Sequence, residues 1–171
     1  MIMPSGERVP REKAMADPGR VGRGEPDFLP FAGAGEPLDK GRRLAEHQRV
    51  AVDWVCADVR GYQPEVGPLQ LVLIAYLQLR EAELDQVLRR AVTALAPGGT
   101  LLVVGHDVTN LTEGTGGPQD VAVLHTPESV ARSLGDLTVL RADRVQRPVA
   151  GSPRDAVDTL VRAIRPVAVG Q

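Results

Sequence analysis

The sequence is poor in the features that define several protein classes. It has one cysteine, Cys56, which excludes an internal disulfide and any metal site built from several cysteines. No apolar run approaches the ~20 residues that a membrane-spanning helix needs, and no basic and then apolar signal peptide follows Met1. The formal net charge of -2 gives no electrostatic argument for nucleic acid or an anionic membrane as a partner. We therefore expect a soluble, cytoplasmic protein.

The first 37 residues also lack any hydrophobic period. Repeated proline and glycine interrupt them, which is typical of a disordered or loop segment. Met15 is an alternative candidate to Met1 as the true start. Gly33-Ala34-Gly35 resembles half of a phosphate-binding turn, but Pro37 and the missing third glycine depart from the dinucleotide fingerprint. At 171 residues the length fits one domain, and we divide the chain into segment 1–37, an α/β domain over 38–165 and a tail over 166–171.

The centre of the chain has the pattern of a βαβ unit. Leu71–Leu77 and Thr100–Gly105 are apolar along their length, as in strands that are covered on both faces of a parallel sheet. Between them, apolar residues recur at helical spacing over Arg80–Leu95, and Pro97-Gly98-Gly99 ends this helix. A connection of this length returns the chain parallel to its starting direction through a right-handed crossover.

Simpler patterns flank this unit. Leu38–Gln48 is predicted as a helix weakened by Gly41, and Ala51–Val59 as a strand rich in valine. Thr126 and Pro127 have the residue types of a helix start, so a helix is predicted to about Leu134. Leu137–Val149 and Asp155–Arg165 are predicted to form an antiparallel hairpin.

The stretch from Leu69 to Asp107 resembles the second half of a class I S-adenosylmethionine-dependent methyltransferase. The resemblance rests on an apolar strand with small and aromatic residues at its end, a helix, and the sequence LAPGGTLLVV. The downstream GHDVTNLTEGTGGPQD and HTPESV are similar to a group of small bacterial methyltransferases, so the resemblance covers about residues 38–165. It implies a Rossmann-like, mostly parallel sheet with a C-terminal antiparallel hairpin.

The resemblance also implies a cofactor site for S-adenosyl-L-methionine. Asp58 would approach the adenine amino group, the Val59 N–H would face an adenine ring nitrogen, and Ala75 and Tyr76 would lie beside the cofactor at the end of the fourth strand of that fold. From the residues alone, Asp58 can equally cap a turn into Arg60. Tyr76 can likewise be a half-buried core residue with a solvated hydroxyl group, or it can cover the substrate cleft.

The sequence departs from the family pattern in its N-terminal half. Between GRGEP at residues 22–26 and Leu38 there is no room for the strand and Gly-rich loop that hold the methionine end, nor for the second strand whose acidic residue binds ribose. Gln70 stands where the family pattern has an acidic residue. We therefore predict a sheet that is incomplete in its N-terminal half and has exposed strand edges through which chains could self-associate.

Polar residues follow the strand Thr100–Gly105, where an α/β sheet binds its ligands. His106 and Asp107 are the candidate catalytic residues, since a histidine can remove a proton from a nucleophile near neutral pH. Tyr76, His106 and Asn110 are the candidate substrate contacts. The alternative is that Asp107 and Asn110 only form turns. A metal site at His106, Asp107 and His125 matches no known ligand spacing, so we assign no metal.

Two functions from different classes remain. One is methyl transfer from S-adenosylmethionine to a small molecule, in which the protein mainly positions the reactants and excludes water. The other is a truncated, non-catalytic remnant or a partner-binding protein that pairs through its strand edges. Binding of S-adenosylhomocysteine would distinguish them.

Overall fold

The computed structural model describes residues 2–3, 35–55, 57–63 and 68–167, with side chains from residue 39 onwards. These residues fall into two compact units, one of residues 2–3, 58–63 and 68–167 and the other of residues 35–55 and 57. Gly33 and Ala34 of the proposed half-turn, like most of segment 1–37, lie outside the described residues, whereas Gly35 is the first residue of a helix. The division at 37/38 and 165/166 stays a prediction.

In the smaller unit, helix α1 spans Gly35–Gln48 and confirms the helix predicted over Leu38–Gln48, with an earlier start. A methyl group at Gly41 would come within 2.7 Å of the Trp54 ring, so a glycine at this position allows the ring to lie against the helix. The strand predicted over Ala51–Val59 is wrong, because the described residues of this segment are irregular until a turn begins at Val59. Its valines have strand propensity, but a strand also needs a neighbour to pair with.

The predicted βαβ unit is confirmed in the larger unit. Strand β2 spans Leu69–Ala75, helix α2 spans Glu81–Ala94, and strand β3 spans Leu95–His106. β2 and β3 pair in parallel, with Val72 opposite Leu101 and Ala75 opposite Val104. Gly99 lies against the Leu69 carbonyl group, and a Cβ there would come within 2.7 Å of that oxygen.

The C-terminal hairpin is confirmed as well. Helix α3 spans Pro127–Arg132, strand β4 spans Thr138–Arg147, and strand β5 spans Ala156–Ile164. Strand β1, Ile2–Met3, pairs antiparallel with β2 and gives the described sheet the order β1-β2-β3-β5-β4. β1 departs from the prediction that the N-terminal segment has no regular structure.

The predicted α/β fold is confirmed, but a mostly parallel sheet is wrong for the described residues. Only β2 and β3 are parallel, and the other three pairs are antiparallel. The sheet is mixed because neither the predicted strand Ala51–Val59 nor the two family strands that lack room in the N-terminal half have a counterpart among the described strands, while the hairpin contributes antiparallel pairs.

The hydrophobic core lies where α2 and α3 cover the sheet. Leu88 of α2, Leu101 of β3, Leu134 after α3 and Val161 of β5 are all at most 1% exposed. No helix within the described ranges is long and apolar enough to cross a membrane. This core fixes β2, β3 and β5 side by side, and so determines which side chains meet at the ends of these strands.

Candidate functional site

Four polar side chains converge at one edge of the sheet. Tyr76 follows β2, His106 ends β3, Arg147 ends β4 and Asp158 lies near the start of β5. β2 and β3 run parallel and β5 runs antiparallel to β3, so the ends of β2 and β3 and the start of β5 share an edge. The carboxyl ends of parallel strands form the ligand crevice of open α/β sheets, so this cluster is the candidate ligand site.

Asp158 is the centre of the cluster. Its side chain is 2% exposed, and its Oδ2 accepts hydrogen bonds from the Tyr76 hydroxyl group at 2.8 Å and from Arg147 Nε at 2.7 Å. The hydrogen bond to Asp158 raises the pKa of Arg147, which remains a cation. A buried carboxylate is costly without such donors, so the pairing stabilises the charge at this position.

Tyr76 has an unusual backbone conformation. Its φ of 50° lies in the left-handed region, which costs a side chain that is not glycine roughly 1 to 3 kcal/mol. Its N–H donates to the Val104 carbonyl group at 2.8 Å, and Arg147 lies 5.4 Å from the centre of its ring. Burial and the bond to Asp158 raise the pKa of Tyr76, so its hydroxyl group stays protonated at neutral pH and acts as a donor.

His106 is enclosed on several sides. Its side chain is 12% exposed, its ring lies 5.1 Å from the Tyr76 ring, and a Cβ at Gly117 would come within 2.9 Å of it. Gly117 has a φ of 78°, a conformation that glycine adopts freely. The Nδ1 atom lies 3.3 Å from Asp158 Oδ1. Its orientation gives no hydrogen bond there, and Nδ1 is buried without a partner in the described part of the chain.

Asp107, the second predicted catalytic residue, lies in a separate group of contacts. It is fully buried and accepts hydrogen bonds from the backbone and hydroxyl groups of Thr109, from the Thr159 hydroxyl group and from Arg144 Nε. Burial alone would raise its pKa, but these donors outweigh it and hold the pKa below the ordinary value. The arrangement supports the alternative that Asp107 forms the turn after β3.

Asn110 also acts on the backbone. Its Oδ1 accepts from the Val157 N–H at 2.7 Å, and its Nδ2 donates to the Gly116 carbonyl group at 2.8 Å. The side chain is buried, and a Cβ at Gly114 would overlap it. These contacts fasten the loop after β3 to β5, which favours the turn-forming alternative over contact with a substrate.

His125 has a structural contact and does not belong to the His106 cluster. Its Nε2 lies 3.0 Å from the Leu79 carbonyl oxygen, which fixes it as a donor, and burial lowers its pKa. It therefore ties its loop to the segment after β2. No group of three potential metal ligands occurs within the described ranges.

The residues that the family resemblance places at the cofactor lie in two different surroundings, and Asp58 lies in a turn. Asp58 starts a turn, because its Oδ1 accepts from the Arg60 N–H at 2.9 Å and its carbonyl group accepts from Gly61 and Tyr62. The carboxylate also pairs with the Arg60 guanidinium group at 2.8 Å, which lowers the pKa of Asp58. This geometry agrees with the turn-capping alternative. Binding of adenine by Asp58 stays a prediction.

Val59 and Ala75 instead line a half-open apolar groove of about 230 Å³ beside β2. Tyr62, Ile74 and Leu77 are among its other lining residues. Arg90 of α2 donates hydrogen bonds to the Val59 and Arg60 carbonyl groups at 3.1 and 2.6 Å and so holds the turn over the groove. These hydrogen bonds between α2 and the turn fix the shape of the groove within the larger unit.

The structure therefore joins two of the predicted site residues, Tyr76 and His106, and adds two that the sequence analysis missed. Arg147 and Asp158 lie on the strands of the hairpin, whose register the sequence does not reveal. A signal existed for Asp158, because it is an acidic residue within AVDTLV, an otherwise uncharged run. Charged residues are almost never fully buried without a partner, so a carboxylate in such a run indicates a buried hydrogen bond or ion pair.

Comparison with solved structures places this fold in a known class. The chain is structurally similar to class I S-adenosylmethionine-dependent methyltransferases over about 76% of its length. The N-methyltransferase NodS from Bradyrhizobium japonicum WM9 matches at 24% identity and a TM-score of 0.52, and its complex with S-adenosyl-L-homocysteine at 22% and 0.51. TehB from Haemophilus influenzae matches at 9% and 0.59. The [4+2]-cyclase SpnF matches at 16% and 0.52, also with 76% of this chain covered.

These likenesses concern the fold. The chain covers 69% and 63% of the two NodS structures, 46% of TehB and 61% of SpnF. No family model matches the sequence, and neither does any curated protein. Since a cyclase shares the fold with methyltransferases, the reaction has to be argued from the site.

Proposed function

We propose that this chain is a methyltransferase-like protein that transfers a methyl group from S-adenosylmethionine to a small molecule. The acceptor binds at the cluster of Tyr76, His106, Arg147 and Asp158. The observation that carries the proposal is the convergence of these side chains at the carboxyl ends of β2 and β3. A buried carboxylate, a largely buried histidine and a strained tyrosine meet there, and such features concentrate at functional sites.

The described residues fit one end of the cofactor. The groove beside β2 is apolar, and its volume of about 230 Å³ is large enough for an adenine ring. Val59, which the family resemblance places against adenine, and Ala75, which it places beside the cofactor, both line it. Ribose and the methionine end need a carboxylate and a Gly-rich loop, and the described residues around the groove supply neither. We therefore propose weak binding, through the adenine end.

His106 is the catalytic residue in this proposal. An acceptor at the cluster loses its proton to the imidazole group as it becomes a nucleophile. Tyr76 is unsuited to this step because its raised pKa keeps its hydroxyl group protonated. Arg147 and Asp158 position the two rings, and the loop fastened by Asn110 places Gly117 against His106.

Transfer of labelled methyl groups tests the proposal. Wild-type protein is incubated with millimolar S-adenosylmethionine and a panel of small amines and phenols. We expect slow labelling of one class, lowered by at least about 100-fold in His106→Ala. His47→Ala is the matched control, because His47 is an exposed histidine on α1. The proposal fails if no acceptor is labelled or if the two variants react equally fast.

A second candidate is a non-catalytic protein that binds a partner through the edge of β2. Among the described residues, β1 pairs with this edge at Leu71 and Val72, and Leu71 is 39% exposed. Exposed strand edges pair readily with other chains. This function predicts a protein that self-associates on a sizing column and labels no acceptor.

A further inference from the structure

His106 and Asp158 are directly opposite each other on neighbouring antiparallel strands. Their Cα atoms are register partners between β3 and β5, so the sheet itself sets the separation of the two side chains. Nδ1 of the imidazole lies 3.3 Å from Asp158 Oδ1, the ring nitrogen is buried, and it has no hydrogen-bond partner among the residues described. A buried polar atom without a hydrogen-bond partner destabilises the fold, so its position needs an explanation.

The other contacts of Asp158 leave Oδ1 for the histidine. Tyr76 and Arg147 Nε both donate to Oδ2, and within the described part of the chain the one donor to Oδ1 is Arg147 Nη2, at a long 3.5 Å. A carboxylate accepts hydrogen bonds, and a neutral imidazole has one N–H and one lone pair. If Nδ1 carried the lone pair, it would face a carboxylate oxygen at close range with nothing between them.

We infer that Asp158 is a positioning residue that holds His106 in the tautomer with its proton on Nδ1, which leaves the lone pair on Nε2. A small rotation of the ring aligns Nδ1–H with Oδ1, and catalytic hydrogen bonds of free enzymes often tighten in this way when a ligand binds. The ring of Tyr76 and the backbone of Gly117 limit larger movements. Nδ1 is the shielded nitrogen, so the 12% exposure of the side chain belongs to its other atoms.

The consequence for chemistry rests on the proposed function. The O–H or N–H bond of the acceptor breaks, the proton moves to Nε2, and the electron pair stays on the acceptor atom as the nucleophile. The imidazolium group that forms is then paired with Asp158, as in other histidines oriented by a carboxylate. With the opposite tautomer, Nε2 would already hold a proton and could not accept another.

The wild-type protein gives the first test. Long-range ¹H–¹⁵N NMR at alkaline pH distinguishes the two tautomers of each histidine, and His47→Ala and His106→Ala assign the signals. We expect Nδ1–H for His106 and the opposite, Nε2–H, for His125, whose Nε2 faces the Leu79 carbonyl group. Two histidines in one spectrum thus have opposite expected patterns. An Nε2–H pattern for His106 would overturn the inference without any variant.

The variant Asp158→Asn gives the second test. We expect its His106 signal to lose the Nδ1–H pattern and its methyl-transfer rate to fall by at least about 100-fold. Asp143→Asn, which removes an exposed carboxylate from β4, should leave the His106 pattern unchanged. Retention of Nδ1–H in folded Asp158→Asn contradicts the inference. If the tautomer is as inferred but no acceptor is labelled, the proposed function fails and the inference stands.

Discussion

The hydroxyl group of Tyr76 donates a 2.8 Å hydrogen bond to Asp158 Oδ2 across 82 positions of sequence. The bond joins the end of β2 to the start of β5, with β3 between them. Tyr76 keeps a left-handed backbone in this contact, with a φ of 50°. The contact therefore links the central βαβ unit to the hairpin at the candidate ligand site.

The first prediction concerns this bond. Tyr76→Phe removes the hydroxyl group but leaves Arg147 bound to Asp158, so we expect the free energy of unfolding to fall by about 1 kcal/mol. Urea denaturation measures it. Tyr62→Phe, on the groove, is the control and should change stability by less than about 0.5 kcal/mol. Equal effects of the two substitutions would show that the contact with Asp158 adds nothing.

The second prediction concerns acid stability. The pKa of Asp107 is lowered in the fold, so its contribution is present above the unfolded value of about 3.9 and is lost as the pH falls through the folded value. Asp107→Asn should cost about 2 to 4 kcal/mol at neutral pH and progressively less towards strong acid. Urea denaturation of both proteins from neutral pH to strong acid measures the difference in their free energies of unfolding. A cost that does not depend on pH would contradict the assignment, and Asp143→Asn should cost less than about 0.5 kcal/mol.

The third prediction concerns the loop after β3. Gly114→Ala would displace the Asn110 side chain and leave the Val157 N–H without its acceptor, so we expect a loss of about 1 to 3 kcal/mol. Gly61→Ala is the control, because a Cβ there meets nothing within 4 Å. Thermal unfolding compares them. Equal melting temperatures would refute the close contact of Gly114 with Asn110.

The fourth prediction concerns the groove beside β2. Adenosine should shift the amide NMR signals of Val59 and Ala75, because the groove is apolar and large enough for the base. Methionine should not shift them, since no carboxylate among the described lining residues can bind its ammonium group and the Arg90 guanidinium group is already bound to the Val59 and Arg60 carbonyl groups. The groove would be excluded as an adenine site if adenosine left both signals in place.

The sequence predicted the elements whose pattern is local. Apolar strands, the spacing of Leu84, Leu88 and Ala91, and the Pro-Gly-Gly stop together fix β2, α2 and β3, because each is set by contacts between near neighbours or by one buried face. The strand predicted over Ala51–Val59 was wrong because a strand does not depend on local pattern alone. Its valines have strand propensity, but a strand also needs a partner elsewhere in the chain, and propensity cannot provide one.

The candidate site was predictable only in part. Tyr76 and His106 follow strands that the sequence marks, and the ends of parallel strands are expected to meet. Asp158 and Arg147 reach the same place through the register of β3 with β5 and of β5 with β4. A slip of one residue would turn the Asp158 side chain to the other face of the sheet, and the sequence alone does not set that register.

Calorimetric titration of S-adenosylhomocysteine into the wild type and into Asp58→Ala tests the central claim most directly. The claim is that the chain keeps the acceptor side and only the adenine side of a methyltransferase site. Losing several hydrogen bonds to charged groups, at about 1.5 to 3 kcal/mol each, turns a micromolar ligand into one of about millimolar affinity or weaker. We expect the wild type to bind S-adenosylhomocysteine with about millimolar affinity or weaker. Asp58→Ala should bind it equally well, because the Asp58 carboxylate is paired with Arg60. A micromolar Kd that Asp58→Ala abolishes would contradict the account.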